Sequence, residues 1–311
     1  KVLLVGLVFV APLGLGAEKA IALARRHARA TRPAPTAVLS PRAQMLREAH
    51  DDPRCPPGMK HIPGGTFRMG ANDRFSDDEL PIHEVTVRDF CLDATEVTTA
   101  EYLRCVAEHR CTPLDNTTAW PDLSDRDAAV WDELCNGNRE GFQDHPVNCV
   151  DWVQADAYCR AHDARLPTED EWEYAARGGA EQRRYAWGNE APEPARANLC
   201  GHECADFVRT RIRAWGPLFD GRDDFVGTAP IGSFPAGNAR WGLMDMTGNV
   251  TEWLASPYCP YPGKTCDTTE HSARGNGFLA NLDLKVRVAR RNHDVQWHRS
   301  PDAGFRCAKS P

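Results

Sequence analysis

The chain has 311 residues, 41% of them hydrophobic, with 23 Pro, 24 Gly and a formal net charge of −7, which is enough apolar material for one large core or two ordinary ones. An acidic balance with no clustered basic face after residue 50 excludes nucleic acid as the main partner, because a phosphate backbone demands such a face. The 12 Cys with no CxxC spacing exclude a reduced cytosolic protein and point to disulfides in an oxidising compartment.

Residues 2–17 form an apolar run behind Lys1, too short for a comfortable membrane span but suited to the core of an export signal. Arg25, Arg26, Arg29 and Arg32 follow closely, so an uncleaved membrane anchor is the alternative reading of 1–17. Residues 18–54, rich in Ala, Arg and Pro without sustained periodicity, read as a tether, and the domain proper is expected over 55–311. Segments 64–70 and 84–90 read as short strands, the second alternating in period two. Residues 98–109 read as a helix opened by a Thr98/Glu101 capping box. Residues 151–164 form a second, with Trp152, Ala155, Ala157, Tyr158 and Cys159 on its apolar side.

The segment 165–179, RLPTEDEWEYAARGG, writes out a third helix with its start and stop. Pro167 precedes it, Thr168 and Glu171 make a capping box, Trp172, Ala175 and Ala176 give the apolar face, and Gly178 ends it. Beyond Gly179 regular periodicity largely disappears, and Gly, Pro, Asn and Asp punctuate the chain. A long irregular stretch inside a compact domain needs staples or bound ions. Close local cysteine pairs, such as Cys105 with Cys111 and Cys259 with Cys266, suit disulfide staples.

Read together and in order, PGGTFRMG at 63–70, DATEVT at 93–98, HPVNCVDW at 145–152, the 165–179 segment, WGLMDMTGNVTEW at 241–253 and GFRC at 304–307 resemble the formylglycine-generating enzyme (sulfatase-modifying factor) family. The resemblance implies an α+β fold: a single compact domain of C-type-lectin-like kind, low in regular secondary structure. It also implies calcium with a structural task. Asp245, Gly248, Val250 and Glu252 match one site, and Asn198, Leu199, Asp223 and Phe225 match another, both offering the hard oxygen ligands that calcium requires. The same resemblance pairs Cys159 with Cys307, and Cys55–Cys91, Cys135–Cys149 and Cys200–Cys204 are the further expected pairs. Zinc at the segment 200–204 is the lesser alternative, since two thiolates and His202 so close together make a cramped tetrahedron.

Sulfatase activation in that family needs a pair of reactive cysteines, whose thiolates are the soft ligands for Cu(I). Here those positions fall on Ala280 and Lys285, and no cysteine lies between Cys266 and Cys307. The serine of the pattern is Gly277 and the tryptophan after 248–250 is Thr251. Copper is therefore not expected. Related branches that use non-haem iron draw histidines from a preceding helical domain, and His27 and His50 alone do not make one.

The expected function is an exported, calcium-stapled binding or structural module without formylglycine-generating activity. Its ligand is a peptide, protein or small molecule that the sequence does not name. The pocket is expected from Trp187, Trp241, Arg290, His293 and Trp297, with Arg291 and Arg306 able to meet acidic groups. The alternative is an oxidoreductase of the same superfamily that modifies a protein or small molecule by another route, with the His293/Asp294/His298 neighbourhood available for acid–base chemistry.

Overall fold

A computed structural model describes residues 37–49, 52–73, 76–263, 266 and 268–311. The apolar run 1–17 and residues 18–36 of the expected tether lie outside the described residues. In chain order the elements are α1 (Pro41–Glu48), β1 (Met59–Ile62), β2 (Gly65–Met69), β3 (His83–Val87), β4 (Phe90–Asp93), α2 (Thr99–Ala107), α3 (Asp125–Trp131), α4 (Trp152–Ala161), α5 (Glu169–Ala176) and α6 (His202–Arg211). The strands β5 (Thr251–Pro257), β6 (Glu270–Arg274), β7 (Asn292–Val295), β8 (Ala303–Gly304) and β9 (Ala308–Lys309) follow.

Local chemistry starts the helices. Thr98 with Glu101, Asp151 with Gln154 and Thr168 with Glu171 each form a reciprocal capping box, satisfying two orphan donors apiece. Gly178, at φ 69°, turns the chain out of α5 through the left-handed region that a side chain resists. The segment expected as one strand over 84–90 is two: β3 ends at Val87 and β4 begins at Phe90. Between them Asp89 accepts a hydrogen bond from the Gly64 N–H at 2.9 Å, which ties this turn to the segment before β2.

Three small sheets organise the chain. β4 lies between β1 and β9, so the last strand closes onto one of the first. β2 and β3 form an antiparallel hairpin, with Phe67 opposite Val85. The third sheet runs β7-β6-β5-β8, with β5 and β8 parallel. Trp172 and Trp253 lie in the core, buried to 0% and 2% exposure, each with its indole N–H satisfied, by Glu252 and by the Val150 carbonyl.

Residues 41–48 correct the tether expectation. They form α1, capped by Ser40, and this helix is tied to the body. Arg47 donates to Glu101 at 2.7 Å, the Ser40 N–H donates to Asp144 at 2.8 Å, and Arg42 reaches the Gly232 carbonyl. Only Ala43 of α1 is buried. The docking is polar, which is why no hydrophobic period announced it. α6 also lies where periodicity gave nothing; its N-cap is Gly201, which offers no side-chain acceptor.

All 12 Cys are paired, as Cys55–Cys91, Cys105–Cys111, Cys135–Cys149, Cys159–Cys307, Cys200–Cys204 and Cys259–Cys266. The thiols of the segment 200–204 are thus spent on each other rather than on zinc. Among the described residues no helix is long and apolar enough to cross a membrane.

Candidate functional site

The strand β5 carries Glu252 into the centre of the molecule. Its two oxygens accept from Arg306 Nε and Nη2, both at 2.7 Å, and Oε2 also accepts from the Trp172 indole at 2.8 Å. Asp245 and Glu96 are buried beside this pair. Asp245 accepts the Gly232 N–H at 2.6 Å, while one oxygen of Glu96 has no partner. Burial, and then the charge of Asp245, push the Glu96 carboxyl well above its usual range. Three carboxylates thus share the one guanidinium of Arg306.

The two sets of residues expected to hold calcium lie against each other. Asn249 N–H donates to the Asn198 carbonyl at 2.9 Å, and Asn198 Nδ2 donates to Asn249 Oδ1 at 3.0 Å. A Cβ on Gly248 would stand 2.5 Å from the Asn198 carbonyl oxygen, so only glycine lets these segments meet. In the Asn198 set the amide Oδ1 is buried without a partner. Asp223 is buried and, among the described residues, accepts only from backbone N–H groups, those of Leu199 and Phe225, both at 3.1 Å. Burial pushes its carboxyl up to about 6. An unpartnered amide oxygen beside a carboxylate without a cation is a donor set that fits a hard divalent ion. In the Asp245 set Glu252 is already held by Arg306 and Trp172, which leaves Asp245 and the backbone carbonyls of Gly248 and Val250 as its open oxygens.

The copper positions do not fit copper. Ala280 is 6% exposed and offers a methyl group, and Lys285 carries an ammonium. Two further departures from the family pattern accommodate one another. The Gly277 N–H donates to Thr251 Oγ1 at 2.9 Å, and a Cβ on Gly277 would stand 2.6 Å from both Cβ and the carbonyl oxygen of Asp302. Serine has no room there.

Beside these positions opens a cleft of about 430 Å³, lined among others by Trp120, Trp131, Arg213, Leu279, His293 and His298. Trp120 meets His298 in a stacked pair at 5.8 Å and Trp131 edge-on at 6.4 Å. His298 Nδ1 lies 2.7 Å from Asp294, and His293 Nδ1 lies 2.8 Å from Glu270. The cleft wall is therefore aromatic, with two imidazole–carboxylate pairs and one guanidinium.

Of the five residues expected to form the pocket, this cleft takes His293. Trp187 stacks on Tyr185 at 5.1 Å and donates to the Glu190 carbonyl, while Trp241 stacks on Tyr174 at 5.9 Å. Trp297 is 48% exposed, and Arg290 faces Asp78 at 3.7 Å. None of these four lines the cleft. Arg291 and Arg306, expected to meet a ligand, are buried and bound to Glu169 and Glu252. Sequence reasoning missed Trp120, Trp131 and Arg213. The available signal was Trp131 ending a helix whose N-cap is Ser124.

A second cleft, of about 460 Å³, is lined by Phe142, His145, Phe207, Phe225 and Val226 among others. His145 is buried there against Phe142, 4.3 Å between ring centroids, and pairs with the Thr228 hydroxyl at 2.9 Å. Burial, and then the Arg139 charge, pull its imidazole down to about 4.

Comparison with known proteins agrees with this architecture. Residues 46–311 match the sulfatase-modifying factor enzyme 1-like domain. The chain is 32% identical over 288 residues to the inactive C-alpha-formylglycine-generating enzyme 2 of Mus musculus, covering 82% of this chain and 86% of that protein. It is 32% identical over 301 residues to the formylglycine-generating enzyme of Streptomyces coelicolor, covering 82% and 90%. Among solved structures, PvdO from Pseudomonas aeruginosa superposes with a TM-score of 0.59 at 22% identity, covering 81% of this chain and 94% of that one. From the match over 46–311 and these relatives, the chain belongs to the sulfatase-modifying factor enzyme 1-like domain family.

Proposed function

We propose that this family member is an exported binding module, stapled by disulfides and calcium, that does not generate formylglycine. The observation that carries the reading is the fate of the thiols. Every cysteine is spent in a disulfide, and the two positions that need free thiolates hold Ala280 and Lys285. Neither a methyl group nor an ammonium is a ligand for Cu(I). Relatives named as active and as inactive share the same 32% identity with this chain, so overall similarity does not decide and the residues at these positions do. The six disulfides support export, since such pairs persist in oxidising compartments.

Calcium would be held by the Asn198 amide oxygen, the Asp223 carboxylate and the carbonyls of Leu199 and Phe225, with Asp245 and the carbonyls of Gly248 and Val250 as a second set. It would supply charge compensation and rigidity to a stretch of chain with few regular elements. The aromatic cleft beside Trp120 and Trp131 is then the ligand site. Its stacking faces and imidazole–carboxylate pairs suit a partly polar ligand.

The test is elemental analysis of the purified full chain together with a mass measurement on a cysteine-containing peptide incubated with it, copper supplied. Calcium bound stoichiometrically and an unchanged peptide are expected. Stoichiometric copper or iron, or conversion of the peptide cysteine to an aldehyde, overturns the reading in favour of an oxidoreductase.

A further inference from the structure

Most buried arginines of this protein are matched to carboxylates: Arg274 to Glu173, Arg287 to Glu79, Arg291 to Glu169 and Arg306 to Glu252. Two cations near the aromatic cleft, the exposed Arg213 and the half-buried Lys285, are not. Arg213, which lines the cleft, lies with its guanidinium carbon 4.8 Å from the centre of the Trp215 ring, and Lys285 Nζ lies 5.8 Å from the same ring. Neither has a carboxylate within ion-pair distance among the described residues. Trp215 packs against the same buried residues, Cys200, Cys204 and Ala205, as the cleft residue Leu279, and its indole N–H is buried without an acceptor among the described residues.

The charges around Lys285 are mostly of its own sign. Burial, followed by the charges of Arg290 and Arg213, lowers the pKa of its amine, and Asp302 opposes them. Arg290 is itself engaged by Asp78. Asp302 is held by Ser300 and pushed upward by burial. Each cation is attracted to the indole face, but the two repel one another and neither is neutralised, so an anion that reaches both gains charge-assisted hydrogen bonds from each.

We propose that Arg213, Lys285 and Trp215 form an oxyanion subsite at the end of the cleft, which takes a carboxylate, sulfate or phosphate group of the ligand. The guanidinium supplies a planar fork of donors, the ammonium a point charge, and the indole an apolar floor. Lys285 stands at one of the positions where the family pattern needs a thiolate, so a soft metal ligand has given way to a cation that recruits negative charge. The inference rests on reading the cleft as a ligand site, and it names the chemical class that one end of the ligand carries.

The experiment follows indole N–H resonances of the 15N-labelled full chain during separate titrations with sodium acetate, sodium sulfate and sodium phosphate at fixed ionic strength. Loss of one resonance in Trp215→Phe identifies the reporter. The expected result is a saturable shift of the Trp215 resonance with at least one of these salts, while that of exposed Trp297 stays in place. The titrant that saturates lowest identifies which oxyanion the subsite prefers. Arg213→Ala and Lys285→Met each weaken that binding at least tenfold, with the buried Trp172 and Trp253 resonances unmoved as evidence of an intact fold. The absence of a saturable shift with any of the three salts, or a shift unaltered in both variants, overturns the proposal. Peptide oxidation by the wild-type chain would sink the function proposed above while leaving this titration unaffected, so the two failures are distinguishable.

Discussion

Glu252 and Arg306 hold each other by two hydrogen bonds of 2.7 Å, and neither side chain is exposed to solvent. Arg306 further donates to the carbonyls of Asp93 and Met244 at 3.0 and 2.9 Å. One guanidinium thereby joins β4, β5 and the loop before β5, and neutralises part of a buried cluster that also contains Asp245 and Glu96.

Removing that guanidinium leaves Glu252 buried without its cation, beside Asp245 and Glu96. Arg306→Met is expected to lower stability by roughly 3–5 kcal/mol, the usual cost of orphaning a buried charge. Pairing it with Glu252→Leu should recover part of the loss, because both charges then leave the interior together. Urea midpoints of the two variants check this. A single variant as stable as the wild type would show that the pair is not structural.

The disulfides should differ in weight according to the loop each closes. Cys159–Cys307 spans a separation of 148 residues and Cys200–Cys204 a separation of 4. In the chain-entropy model the first is worth about 5 kcal/mol and the second about 2 kcal/mol. Thermal unfolding of Cys159→Ala/Cys307→Ala against Cys200→Ala/Cys204→Ala is expected to show the larger loss for the long loop.

Acid should weaken the fold through His145. Its folded pKa is pulled down from 6.5 to about 4 by burial, so between these values the unfolded chain binds a proton that the folded chain does not. Stability therefore falls as pH drops from 6.5 through 4, by an amount on the order of 3 kcal/mol from this residue. His145→Asn should flatten that limb relative to the wild type when urea midpoints are compared across the same pH range. Parallel curves for the two proteins would show that His145 does not titrate in this way.

Calcium should stabilise the chain, and Asn198 should matter to the effect. At about 100 times its dissociation constant a single bound ion adds ~2.7 kcal/mol. The melting temperature is expected to fall on chelation and to return with added calcium. In Asn198→Ala, where the unpartnered amide oxygen is gone, the return should be weaker. A melting temperature indifferent to chelator would remove calcium from the account.

Restoring thiols offers a converse test. Ala280→Cys combined with Lys285→Cys is expected to give a protein that holds Cu(I) in competition with a copper chelator, since thiolate pairs select that ion. The wild-type chain should release all of it. A double variant that binds no copper would mean that these positions do not face one another as the family pattern requires.

How much of this was legible beforehand depended on how local the cause was. The helices α2 and α5 announce themselves because a capping box is closed within a few residues, Thr98 and Thr168 each sitting three positions before its partner, and α4 through the apolar side that Trp152, Ala155, Tyr158 and Cys159 give it. α1 and α6 do not, because one docks through arginine side chains and the other starts at a glycine. The cleft was legible only in His293, Asp294 and His298. Aromatic residues in a chain of this kind read alike in sequence, whether they stack within a wall, as Trp187 and Trp241 do, or face a cleft, as Trp120 does.

The sequence by itself determined the family, the starts of α2, α4 and α5 and the absence of a thiolate pair, because each depends on residue identity at short spacing. Tertiary structure alone decided which charges are free to meet a ligand. Arg306 finds Glu252 across 54 positions, Arg291 finds Glu169 across 122 and Arg287 finds Glu79 across 208, while Arg213 and Lys285 lie over the Trp215 ring with no ion pair among the described residues. An arginine becomes a core strut when folding brings a carboxylate to it, and nothing within a few residues of it encodes that distance.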